Sequence, residues 1–199
     1  MAGLLKIPGT RLTLIRETMY FIKQHFAVIL TFALIAALGR VIQLGGFGTV
    51  TSSVNIVLEI IIESSRIYIF LYVLGFADLN KGLSRIKHFL MSRTDRRYYL
   101  KTARENFKKN WLEIILNFVV FAGLAWLLNY LIDLAAYETC LYLTLKQHQF
   151  LSPGASEWTI ILFLKNLSAI PLTLIFDGIF LLWLINKLHA DHLAANTKK

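Results

Sequence analysis

Apolar residues fall along this chain in four long runs, roughly Phe26 to Leu44, Val54 to Ala77, Trp111 to Ala136 and Trp158 to Asn186, parted by short polar or basic stretches. Each is close to or above the roughly 20 residues a helix needs to cross a bilayer. The pattern predicts an all-α polytopic membrane protein, with four transmembrane helices forming a single domain over residues 26–186. A segment before it, residues 1–25, places Leu12, Ile15, Met19, Ile22 and Phe26 at helical spacing opposite Arg11, Arg16, Lys23 and Gln24. After Pro8-Gly9, with Thr10 as a cap, this reads as an amphipathic helix lying on the cytoplasmic leaflet or as an extension of the first span packed on a neighbour.

The connections carry patterns of their own. Gly45-Gly46-Phe47-Gly48 reads as a flexible hairpin between the first two spans. In the connection 78–110, Leu83, Ile86, Phe89 and Leu90 stripe one amphipathic helix, and Ser92 with Asp95 opens a second through a capping box. Tyr142 to Leu145, in the connection 137–157, suits a short helix on the membrane surface. Ser156 and Glu157 supply a cap and a favourable first-turn charge to the fourth span. That span covers 29 residues, Trp158 to Asn186, about 43 Å at 1.5 Å per residue, so it must tilt, protrude or kink, and Pro171 marks the place. A tail, 187–199, follows.

The second run is the unusual one, because Asn55, Glu59, Glu63 and Arg66 fall within roughly 80° of one another on a helical wheel. Each ionisable side chain in a span costs about 2.5 to 3.5 kcal/mol, so this stripe should face protein or water. Glu63 and Arg66, three residues apart, can pair along the helix. Glu59 then needs a partner from elsewhere, with Arg40 and Lys165 as candidates, and Asp133 joins the same layer. Arg40 alternatively snorkels to the headgroups. Asp177 lies about 120° from Lys165 on a straight helix, so whether the two share a cavity depends on the kink.

Composition supports the membrane reading: 56% of residues are hydrophobic, 17% are charged and the mean hydropathy is +0.58, against about 45–50% and 25% in soluble domains. No soluble domain fits in the remaining chain. The net charge of +9 and pI of 9.7 could point to nucleic acid, but the placement of the charge is more telling. Seventeen basic residues flank one side of the four runs, and only Lys146 lies on the other. Both termini and the central connection are therefore expected in the cytoplasm, in a plasma (inner) membrane. Arg85, Lys87, Arg93, Arg96, Arg97, Lys101, Arg104, Lys108 and Lys109 interleave with Tyr98, Tyr99, Phe107 and Trp111, as a surface for anionic headgroups or a cytoplasmic protein partner does. Tethering beside a bilayer argues against nucleic acid.

Chemistry-bearing motifs are sparse. The single Cys140 excludes an intrachain disulfide and leaves an intermolecular bridge or an interfacial thiol. The start does not read as a cleaved signal peptide, and the Asn166-Leu167-Ser168 sequon falls inside a span, where it is chance. His189 and His192 are two ligands without a third, and HExxH, GxSxG and Walker patterns are absent, so no metal, cofactor or enzymatic reaction is expected. The expectation is a non-enzymatic subunit or homo-oligomeric component of a membrane assembly, built around a buried charge network. One alternative is an ion or proton channel or transporter lined by Glu59, Glu63, Asp133 and Lys165 and continued by Asp177. A second is a lipid-processing enzyme using Glu59 and Glu63 as acid and base.

Overall fold

The computed structural model describes residues 12–139 and 141–188. Arg11, Thr10, Cys140, His189 and His192 lie outside them, as does most of the tail. The described chain is helical without strands: α1 (Thr13–Gln24), α2 (Phe26–Gln43), α3 (Ser52–Leu74), α4 (Leu79–Met91), α5 (Arg93–Lys109), α6 (Trp111–Tyr137), α7 (Leu141–Gln147), α8 (Glu157–Leu167) and α9 (Ala169–Leu184). Among the described residues, three helical stretches are long and apolar enough to cross a membrane: α2, α6, and α8 with α9 taken together. α3 has the length, but Glu59, Glu63 and Arg66 make it too charged to qualify on composition.

α2 and α3 form the central seam. The buried face of α2 is built of small residues, Ala33, Ala36, Ala37 and Gly39, which let a neighbouring helix approach closely. At Gly39 the approach is tightest, since a Cβ there would lie 2.9 Å from Ile62 Cγ1. Contacts run from the Arg40–Glu59 ion pair at one end of the seam to the His25–Tyr72 hydrogen bond at the other. α3 therefore lies antiparallel to α2 along roughly 20 Å, at 1.5 Å per residue.

The apolar core lies toward the end of the bundle where α3 and α9 terminate. There Ile69, Val73 and Leu74 of α3 meet Ile175, Phe176, Ile179 and Leu182 of α9, with Leu14 and Phe21 of α1 added. This end also gathers the basic connection, and we call it the basic end. The other, the loop end, holds a smaller cluster of Val41, Leu151, Ala155 and Ile160.

α1 buries its apolar stripe in protein: Leu14, Thr18 and Phe21 are almost fully enclosed. Of the two sequence readings, packing on neighbours is therefore the one observed. Residue 12 supplies no side-chain cap, and the N–H groups of Leu14 and Ile15 instead donate to the Asn117 side-chain carbonyl of α6, at 3.1 and 3.2 Å. At its other end, Phe21 packs on the rings of His25, Tyr72 and Phe76. α1 thus bridges α6 to α3 across the basic end.

Three sequence expectations change in detail. The long fourth run is two helices, parted at Ser168 three residues before Pro171. Proline removes the N–H that would bond the Leu167 carbonyl and its ring crowds that carbonyl, so the break falls there. The Gly45–Gly48 turn is pinned: Ser152 donates to the Gly45 carbonyl from its hydroxyl (2.6 Å) and to the Gly46 carbonyl from its N–H (2.7 Å). Ser156 stands at the N-cap of α8, but its hydroxyl makes no capping bond. The Ser92 cap is present, accepting from the Asp95 N–H at 3.2 Å, and α7 forms where a surface helix is expected.

Candidate functional site

The charged stripe of α3 is positioned by the α2–α3 seam and by the break between α8 and α9. Arg40 sits on α2 one turn before its end, facing α3, and donates to Glu59 Oε2 at 3.0 Å and Oε1 at 3.5 Å. Gln43, three residues on and so on the same face, accepts from Arg40 at 2.6 Å and donates to Glu59 Oε2 at 2.7 Å. Its amide also reaches the Asn55 carbonyl at 3.4 Å. Asn55 thus joins the layer through its backbone.

One turn deeper, Glu63 pairs with Arg66 along the helix and lies 3.8 Å from Arg40. Arg66 also donates to Asn166 Oδ1 at 2.7 Å, and Asn166 anchors its own amide to the Leu162 carbonyl at 2.7 Å. The layer therefore runs Gln43, Arg40, Glu59, Glu63, Arg66, Asn166 and joins α2, α3 and α8. It contains two guanidiniums and two carboxylates and is neutral when all are charged. The arginines are well covered, 18% and 21% exposed, while both glutamates are 46% exposed. Arg66 Nε is buried without an acceptor.

Of the sequence-predicted members, Arg40, Glu59, Glu63 and Arg66 come together. Asp133 and Lys165 are partly exposed on α6 and α8 and enter no ion pair of the layer. Asp177 lies on the other side of the α8–α9 break and points away from the layer, with Thr173 and Leu181 as its exposed neighbours one turn away on either side. Gln43 and Asn166 escaped the sequence reading. The first was signalled by its i+3 spacing from Arg40. The second had no signal, since an asparagine in an apolar run is indistinguishable from a filler until the helices are assembled.

The basic connection folds as a helical hairpin. Arg93, Arg96, Arg97, Lys101, Arg104, Lys108 and Lys109 are all exposed on α5, which buries no residue, and Lys87 is exposed on α4. Arg85 is the exception: it donates to the Leu74 carbonyl and closes the end of α3. α5 is held to α9 by the Asn106 amide, which donates to the Leu184 carbonyl at 2.8 Å and to Asn186 Oδ1 at 2.9 Å. Exposed Leu83, Leu90, Met91, Tyr98, Leu100 and Phe107 add an apolar component to this charged surface. Among the described residues no three His, Cys, Asp or Glu side chains converge as a metal site. No protein-family model, curated protein or solved structure matches the chain.

Proposed function

We propose that this chain is a non-enzymatic integral membrane protein crossing the bilayer four times, with both termini and the basic hairpin in the cytoplasm, and that it serves as a subunit or homo-oligomeric component of a membrane assembly. The observation that carries this reading is the closed, neutral charge layer between α2, α3 and α8. Every carboxylate and guanidinium in it is engaged by another member, which suits a device that fixes helix partners in lipid. The fourth crossing is supported by α3 lying along α2 over the same depth, so that if α2 crosses, α3 crosses beside it. An even number of crossings then returns the chain to its basic side. The exposed basic and aromatic residues of α5 suit anionic headgroups on that side. Exposed apolar residues along α6, of which only 11% of the spanning window is buried, leave a broad face for lipid or neighbouring subunits.

A channel or transporter is the second reading, favoured by the half-exposure of Glu59 and Glu63. Against it, Ile69, Val73, Ile175, Phe176 and Ile179 fill the interior between Arg66 and the basic end, and the polar side chains buried there, Thr18 and Asn117, are committed to backbone groups. Extraction in mild detergent followed by native mass measurement separates the two. The assembly reading expects a complex heavier than one 22.8 kDa copy. A single copy, together with liposome ion or proton flux abolished by Glu63→Gln in folded protein, overturns it.

A further inference from the structure

The side chains that α9 buries are Pro171, Ile175, Phe176, Gly178, Ile179 and Leu182. At about 100° per residue, Asp177 lies about 160° around the helix from their mean direction. The neighbours of α9 lie on its inward side and, through Phe180, on one flank. α6 meets it through Phe118 and Phe121 against Phe176 and Phe180, α3 through Val73 at Gly178, and α1 through the core cluster. Asp177 is left on the outward face between Thr173 and Leu181, which is 40% exposed. Among the described residues it enters no hydrogen bond or ion pair. It also sits seven residues, about 10 Å, inside the end of α9, at a depth where a carboxylate facing hydrocarbon is costly.

We infer that the Thr173–Asp177–Leu181 face of α9 docks a transmembrane helix of another protein that carries a lysine or arginine in its cytoplasmic half. The inference rests on the assembly reading and names the chemistry of the partner. Charge complementarity selects a foreign helix over a second copy. Among the described residues, Arg66 is spent on Glu63 and Asn166, and Arg40 and Lys165 lie in the loop-end half, so the span-length helices of a copy in the same orientation offer no uncommitted cation at this depth. Two-fold pairing of this face would instead set one Asp177 against another.

The test reconstitutes the full chain in phosphatidylcholine vesicles with synthetic leucine-rich transmembrane peptides and reads energy transfer between labels. One peptide carries a single lysine at the Asp177 depth, a second carries it in the opposite half, and a third carries none. The first is expected to associate about tenfold more tightly, corresponding to about 1.4 kcal/mol, and Asp177→Leu is expected to abolish the difference. Asp177→Asn, which keeps the shape, should lower it without unfolding the chain. Equal association of all three peptides, or selectivity that survives Asp177→Leu, overturns the inference. So does transfer between labelled copies of the chain that disappears in Asp177→Leu, since the occupant is then a second copy. Native mass judges the assembly reading separately, because a chain extracted alone can still select the matched peptide.

Discussion

Replacing Glu63 by glutamine takes one negative charge from a layer that otherwise sums to zero, and leaves Arg66 with neutral acceptors in place of its paired carboxylate. The amide is nearly isosteric, so packing is preserved and the effect is electrostatic. Removing one partner of a fully buried ion pair costs about 3 to 5 kcal/mol. With 46% of the Glu63 side chain exposed, we expect roughly 1 to 3 kcal/mol. Arg66→Met alone should cost a similar amount, because Glu63 then keeps only Arg40 at 3.8 Å. The double variant restores neutrality and forfeits chiefly the hydrogen bond to Asn166, worth about 1 kcal/mol. The cycle should therefore show a favourable coupling of about 1 to 5 kcal/mol between the two residues. Reversible unfolding in mixed micelles, with sodium dodecyl sulfate titrated into mild detergent and helicity followed by circular dichroism, measures all four proteins on one scale. A double variant whose loss equals the sum of the single losses, or three variants as stable as the parent, would refute a layer held by mutual neutralisation.

Other positions make independent predictions. Asn117→Ala removes the external cap of α1 and should cost about 1 to 2 kcal/mol, with faster proteolysis before Phe26; unchanged protection would show that apolar packing alone holds α1. Gly82→Ala places a Cβ 2.0 Å from the Leu71 carbonyl oxygen, so α4 must move off α3, with an expected loss of about 2 kcal/mol or more and new cleavage within residues 79–109; a neutral outcome means this crossing is looser than described. Replacing Arg96, Arg97, Lys101 and Arg104 by glutamine should weaken retention of phosphatidylglycerol on the reconstituted protein, each basic residue contributing about 1 kcal/mol. Equal retention, read by native mass spectrometry, counts against a headgroup surface on α5.

Much of this architecture is legible in the chain because bilayer physics writes it in long runs. Apolar stretches of span length gave α2, α6 and the α8–α9 region, and intrahelical spacing alone pairs Glu63 with Arg66. The Arg40–Glu59 bond was legible only as one of two options, since helix order does not say which neighbour faces which stripe. A neutral amide is harder still to place. Asn117 and Asn166 fall in apolar runs like any tolerated polar residue, yet one caps α1 across 103 positions of sequence and the other receives Arg66 across 100. The direction of α1 was open for a related reason, because an amphipathic stripe fits a protein groove and a leaflet equally well. Whether Asp177 shares a cavity with Lys165 cannot be read from the wheel, because the wheel assumes a straight helix. The break at Ser168 cancels that assumption.

The two halves of the bundle are held by different interactions, and this division decides what Asp177 can do. Toward the loop end, polar groups from three helices satisfy one another around Arg40 and Arg66. Toward the basic end, aliphatic and aromatic side chains fill the interior, with the Phe121 and Phe176 rings stacked 4.0 Å apart. The polar side chains buried in that half, Thr18 and Asn117, are committed to backbone groups, so a carboxylate there has no charge layer to join. Rotating α9 to bring Asp177 inward would pull Ile175, Phe176 and Ile179 out of van der Waals contact. In lipid, where water exclusion does not drive helices together, such contacts are a principal source of their cohesion. The packing of α9 thus keeps its one acidic side chain on the outward face of the bundle, without an ion-pair partner among the described residues.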